Sequence, residues 1–310
     1  MSLCQSTVNE MTDAEYRMFC ELLRAHCGLH FDESARFIVE KRLARRIQDL
    51  EIGSFAAYHY FLRSSVSADS EMSAVVDLLT TNETYFFREQ NQLRALIHEI
   101  VPEILQRRRE MDKRAPVRIW SAGCSSGEEP FSIVMMAMEA GIDVRRDLRV
   151  YASDISPAVL SKCRRAQYRE SAFRNTEPFL RDRYFRAKNG SFRISDQVKE
   201  SVDFIRLNLL DRCKISLLGM MDVVLCRNVI IYFNRETKKE VIQTFYDKLR
   251  PGGYLLLGHS ESLINISSAF ELCHLKNDLV HKRPVLGGEV SDPWHRLVAS
   301  VAGSSGEDEL

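Results

Sequence analysis

Ser121-Ala-Gly-Cys-Ser-Ser-Gly-Glu-Glu-Pro130 is the stretch whose residue types and spacing most directly suit ligand chemistry. It joins a short apolar run to a helical one. At such a strand-to-helix turn, backbone N–H groups and a helix N-terminus can face an anionic or nucleotide-like ligand. Gly123 and Gly127 lack a Cβ and let that ligand approach the backbone. Their spacing is neither the dinucleotide G-x-G-x-x-G nor the phosphate loop with its Gly-Lys-Ser/Thr. Alone, the pattern fits a simple loop closure equally well.

Asp154 ends the next apolar run, in Val-Tyr-Ala-Ser-Asp-Ile-Ser. An acid there is placed to accept hydrogen bonds from the two hydroxyls of a ribose. The plainer alternative is a helix cap before Pro157, a role that Ser156 fills equally well. A later segment, Cys226-Arg-Asn-Val-Ile-Ile-Tyr-Phe233, follows another strand-like run. Ligands of open α/β sheets sit beyond the carboxyl ends of strands, which places Asn228 and Tyr232 near a reacting centre. Tyr232 and Phe233 also read as ordinary core aromatics. Thr80-Thr-Asn-Glu-Thr-Tyr-Phe-Phe-Arg-Glu89 lies upstream, polar and at an expected domain junction, where clefts form. A capped linker is its plain reading.

These residues need a frame. The first 80 residues read as helices. Thr12 and Glu15 make a capping box, a second helix spans about 34–50 on the stripe Val39, Leu43, Ile47 and Leu50 and is stopped by Gly53, and two more cover about 55–64 and 69–80. Beyond Pro116 the pattern changes. Apolar runs at 117–120, 149–152, 203–207, 222–226 and 254–257 alternate with helical segments at 130–140, 157–165 and 235–249. That alternation predicts a parallel α/β sheet with helices on both faces. Asn189-Gly190 between two short β-like arms predicts a hairpin that interrupts it, a small subdomain at about 180–200. The segment beyond Pro284 is rich in Gly, Ser and acids and reads as frayed.

Composition narrows the classes. The 43 basic and 43 acidic side chains cancel, which argues against a protein that coats nucleic acid. No apolar run approaches the roughly 18 residues of a membrane span, and the N-terminus does not read as a signal peptide. The eight cysteines form no C-x-x-C pair and read as reduced thiols of a cytoplasmic protein, with no metal centre.

Taken together, TTNETYFFRE (80–89), RIWSAGCSSGEEPFSIVM (118–135), ASDIS (152–156), RLNLL (206–210), VLCRNVIIYF (224–233) and LRPGGYLLLGHSES (249–262) resemble the CheR-type chemotaxis receptor glutamate methyltransferases. The resemblance implies an all-helical N-terminal domain (1–80), a linker and helix (81–116), and a Rossmann-like methyltransferase domain (117–283) that binds S-adenosyl-L-methionine. It also implies an inserted antiparallel β-subdomain, and a flexible tail follows (284–310). Phe270–His274 and Leu279–Lys282 would supply the late antiparallel hairpin with which that fold closes its sheet.

By resemblance, Asn82, Thr84 and Arg88 reach the cofactor from the linker, and Gly123 and Glu129 from the glycine loop. Asp154 holds the ribose, Asn208 and Leu209 flank the adenine, and Arg227 and Asn228 complete the pocket. Arg88 and Tyr232 approach the methyl group and the incoming carboxylate. Lys41, Arg42, Arg45 and Arg46 are assigned to docking of an acidic receptor helix; a solvated helix face is the plain reading of the same residues. The hairpin turn at Ala187-Lys-Asn-Gly190 is short, like that of members that dock without a receptor C-terminal pentapeptide. A monomer is expected, with the methyl-accepting receptor cytoplasmic domain as partner, and neither nucleic acid nor membrane insertion. S-adenosyl-L-homocysteine would be the product. Asn-Pro-Pro-Tyr, which in related methyltransferases receives an amino group, is absent. Two other readings stay open at this point: a methyltransferase with another substrate, and a cofactor-binding scaffold without catalysis.

Overall fold

A computed structural model of the chain describes residues 10–80 and 83–285. The expectations for Asn82 and for nearly all of the tail lie outside these residues.

Four helices form the N-terminal domain: α1 (Asp13–Cys27), α2 (Arg36–Asp49), α3 (Phe55–Ser64) and α4 (Ala68–Leu79). Thr12 and Glu15 form the reciprocal capping box expected for α1. Phe19, Leu43, Ile47 and Tyr58 are completely buried and make the core of this domain. The end of α2 differs from expectation. Ile52 N–H bonds to the Ile47 carbonyl and Glu51 N–H to that of Gln48, a Schellman closure whose left-handed residue is Glu51 at φ +56°, and Gly53 lies beyond it. A Cβ in that conformation is strained, and the Glu51 side chain is exposed. Glu51→Gly is therefore expected to stabilise the protein by about 0.5–1 kcal/mol, read as a raised urea midpoint, after the added freedom of the unfolded glycine is subtracted.

The second domain is built on a seven-stranded sheet. Its strands are β1 (Val117–Ala122), β2 (Leu148–Asp154), β6 (Val202–Arg206), β7 (Met221–Cys226), β8 (Leu249–Leu257), β9 (Glu271–His274) and β10 (Leu279–Lys282), ordered β6-β2-β1-β7-β8-β10-β9. The first five pair in parallel, and β10 and β9 are the antiparallel hairpin. Helices cover both faces over two separate apolar clusters. One face carries α5 (Gln90–Ala95), α6 (Val101–Glu110) and α7 (Glu128–Glu139).

A second, three-stranded sheet joins β3 (Gln167–Tyr168), β5 (Ser191–Ile194) and β4 (Phe185–Lys188) in the order β3-β5-β4. Asn189 and Gly190 are both left-handed, giving the expected two-residue turn with Lys188 opposite Ser191. The subdomain is larger than the span 180–200 expected for it, because β3 lies upstream of two helical turns. Its aromatics Tyr168, Phe173 and Phe185 pack around Phe86 of the linker, with ring centroids 4.8–5.3 Å apart. The linker is thereby pinned to the second domain.

Arg108 belongs to a basic cluster that reads as a solvated helix end. It is instead buried, bonding Asp222 at 2.6 Å and the Ala115 carbonyl at 2.8 Å, and so ties α6 to the start of β7.

Candidate functional site

The carboxyl ends of β1, β2 and β7 open onto two adjoining cavities that share Gly123, Asn228 and Tyr232 as a common wall. Both are bounded by loops that begin where these parallel strands end, and both contain residues singled out in the sequence.

The first cavity, about 110 Å³, is largely apolar. Leu207 and Leu209 come from the loop after β6, and Ile155 from the loop after β2. The helical domain contributes Cys27, Leu29 and Val76. Asp154 is its buried carboxylate. One oxygen accepts the Ser125 N–H at 2.8 Å and the other the Ser156 N–H at 2.9 Å. Burial raises its pKa, opposed by these backbone donors. Ser156 caps the following helix by accepting the Val159 N–H, so Asp154 is not needed as the cap. A carboxylate has about four acceptor positions, which leaves Asp154 able to receive two ligand hydroxyls.

Asn208 also lines this cavity, but its amide is engaged as a brace between domains. Its Nδ2 donates to the His26 carbonyl at 2.6 Å, and its Oδ1 accepts the Leu210 N–H at 3.0 Å. The wall at Gly123 is close to its limit. Gly123 has φ +81°, and a Cβ there would stand 2.4 Å from Val229 Cγ2.

The second cavity, about 240 Å³, is polar and is lined by Thr84, Arg88, Glu129 and Arg227 among others. At its back, Arg227 has a side chain only 2 % exposed. It donates to Glu89 at 3.0 Å, to Glu129 at 3.0 Å and to the Arg88 carbonyl. The other oxygen of Glu129 accepts the Ser121 hydroxyl at 2.6 Å. One guanidinium thus gathers the linker, the glycine loop and the loop after β7. It also fixes the backbone from which the Arg88 side chain enters the cavity. With Arg88 entering the same cavity and Glu83 paired to Arg174, the carboxylates are matched by guanidinium groups, so acidic and basic partners stand side by side for a zwitterionic ligand. Glu89, the second carboxylate of this group, has no individual signal in the sequence.

Asn228 supplies a further feature. It is left-handed at φ +59°, lines both cavities, and its Oδ1 is buried without a hydrogen-bond partner. A buried orphan acceptor is costly unless a ligand donor meets it. S-adenosyl-L-methionine fits this combination. It has an apolar adenine, a ribose diol for Asp154, and an ammonium and a carboxylate for the acidic and basic groups of the second cavity.

Thr84, Arg88 and Tyr232 line the polar cavity together, as the sequence reading requires. The docking residues divide. Arg46 turns inward and grips Glu71 through two bonds of 2.8 and 2.7 Å, and Arg42 donates to the Leu78 carbonyl at 2.8 Å. These two hold α2 to α4 and stay partly exposed. Lys41 and Arg45 are exposed. Among the described residues, no cluster of His, Cys, Asp and Glu is arranged to hold a metal ion, and no helix is long and apolar enough to cross a membrane.

Known proteins share this arrangement. Residues 14–80 match the family described as CheR methyltransferase, all-alpha domain, and residues 82–279 the family described as CheR methyltransferase, SAM binding domain. Chemotaxis protein methyltransferase 2 of Vibrio cholerae is 37% identical over 279 residues, spanning 89% of this chain and 95% of that protein. Chemotaxis protein methyltransferase of Escherichia coli is 34% identical over 266 residues, spanning 84% and 89%. With both domains matched end to end and the cavities built from the matching segments, the chain belongs to the CheR methyltransferase family.

Proposed function

We propose that the protein is a protein-glutamate O-methyltransferase of the cytoplasm, acting as a monomer on glutamate γ-carboxylates of chemoreceptor cytoplasmic helices. S-adenosyl-L-methionine supplies the methyl group, and the products are a glutamate methyl ester and S-adenosyl-L-homocysteine. The observation that carries this reading is the state of the carboxylates beside Arg88. Glu129 is held by Ser121 and Arg227, and Glu83 by Arg174 at 2.8 Å. The Arg174 hydrogen bond also keeps the Glu83 carboxyl below its usual pKa. Both carboxylates are already engaged, so neither is free to take a proton from an acceptor, and one that arrives already ionised suits the cavity. A glutamate side chain, with a reference pKa of about 4.3, does so near neutral pH.

Alignment is then the chief task of the chain. Arg88 offers a planar, two-pronged donor to a carboxylate. A tight grip on the attacking oxygens would stabilise the ground state as much as the transition state, so we assign Arg88 to positioning. Tyr232 closes the wall between the two cavities, where methyl donor and acceptor meet. The residues assigned to the cofactor are Asn82, Thr84, Arg88, Gly123, Glu129, Asp154, Leu209, Arg227 and Asn228, with Asn208 shaping the pocket through its brace.

Docking is assigned to the exposed edge of α2, where Phe37, itself 73% exposed, is followed at successive turns by Lys41 and Arg45. The two-residue turn of the β-subdomain supports docking without a pentapeptide tether. Reversing charge in Lys41→Glu with Arg45→Glu should raise KM for receptor several-fold with little change in kcat. The effect should be larger at low salt, where screening is weak. An initial-rate series across ionic strength checks this.

The reaction itself is tested with methyl-labelled cofactor, the purified protein and receptor cytoplasmic fragments. Label that leaves as volatile methanol after alkali identifies a carboxyl ester. Label that withstands alkali, or fails to reach any receptor fragment, overturns the assignment.

A further inference from the structure

Glu261 sits in the turn after β8, away from the cavity linings that include Asp154 and Arg88. Its carboxylate nevertheless accepts four backbone N–H groups. One oxygen takes those of Asn228 and Gly258, each at 2.8 Å; the other takes those of Val229 at 3.0 Å and Ile231 at 3.2 Å. A carboxylate has about four acceptor positions, so this one has none left for a ligand. Three of the four donors belong to the loop that carries Asn228, Val229 and Tyr232. We propose that Glu261 is a positioning residue for the cofactor, holding Asn228 left-handed in the wall shared by the two cavities and Val229 against Gly123.

The surroundings support this. Asparagine enters the left-handed region more readily than most residues, and the bonds to Glu261 at residues 228, 229 and 231 hold Asn228 there at φ +59°. Gly258 completes the fit. A Cβ there would lie 2.9 Å from Asn228 N, Asn228 Nδ2 and Glu261 Oε2 alike. Cys226 and Leu257 are paired in register at the ends of β7 and β8, so the two turns leave the sheet side by side. In the sequence, Glu261 is one letter of the matching segment 249–262 and has no role from the chemistry of the reaction.

The inference rests on the reading of the cavities as the S-adenosyl-L-methionine site, and the experiment separates the two. Glu261→Gln keeps the shape but turns one oxygen into a donor that faces N–H donors. Amide hydrogen exchange is measured on the ligand-free protein, and S-adenosyl-L-homocysteine binding by calorimetry. The variant should exchange faster at Asn228, Val229, Ile231 and Gly258 while β1 keeps its protection. Its dissociation constant should rise about tenfold or more. Glu261→Asp, one methylene shorter, should fail to restore it. Gly258→Ala should weaken binding in the same way from the other side of the contact, with the carboxylate intact. Faster exchange with unchanged affinity would make Glu261 a structural anchor only and overturn the proposal, as would unchanged exchange. Wild-type protein that binds no cofactor product would overturn the reading of the cavities, whereas the exchange data still report on the anchor.

Discussion

Arg227→Ala is expected to lower stability by about 3–5 kcal/mol and to remove measurable cofactor binding. The guanidinium is buried and holds Glu89, Glu129 and the Arg88 carbonyl at once. Truncation leaves two carboxylates facing each other with their common cation gone, and a carbonyl without its donor. The loss is larger than the worth of any one bond because uncompensated buried charge is what remains. Arg227→Lys should recover little, since an ammonium cannot span three acceptors in one plane. Chemical denaturation gives the stability, and titration of S-adenosyl-L-homocysteine gives the binding. A variant that unfolds within 1 kcal/mol of the wild type would show that the cluster relaxes far more readily than its burial implies.

Asp154→Ala should raise the cofactor dissociation constant by about 100-fold or more while changing stability much less. Each hydrogen bond from a ribose hydroxyl to a charged acceptor contributes about 1.5–3 kcal/mol, and two are at stake. The stability cost is confined to the N–H groups of Ser125 and Ser156, which lose their acceptor. Asp154→Asn should fall between, because it keeps one acceptor oxygen and removes the charge. Calorimetric titration of the three proteins decides it. Equal affinities would remove Asp154 from the cofactor site.

The parts of this site that were legible in the sequence are those whose physics is local. Gly123, Asp154 and Asn228 each stand at or just past the end of a largely apolar strand, so their place at a carboxyl edge follows from the order of the elements. The capping box at Thr12 and the turn at Asn189-Gly190 are legible for the same reason. Contacts between distant segments left no such trace. Arg227 meets Glu89 across 138 residues and Glu129 across 98, and Glu261 reaches Asn228 across 33. No spacing rule links them, and each reads alone as an ordinary surface charge. The bonds of Arg46 to Glu71 had no trace either, because the partner lies on another helix. Glu51 in place of a glycine at the end of α2 shows a backbone requirement overriding residue preference. The short β3 was missed because two residues carry no periodicity.

One seam between the domains has a wider consequence. Leu29 pairs with Phe233, the His30 N–H bonds to the Tyr232 carbonyl, and Asn208 reaches the His26 carbonyl. The helical domain is therefore one wall of the apolar cavity beside Asp154 as well as the carrier of the α2 face. A ligand in that cavity touches both domains and adds its binding free energy to their cohesion. By thermodynamic reciprocity, whatever engages α2 and shifts the helical domain must change the affinity for that ligand by the same factor in return. Under the docking proposed for α2, recognition at the outer surface and occupancy of the interior are two readings of one equilibrium.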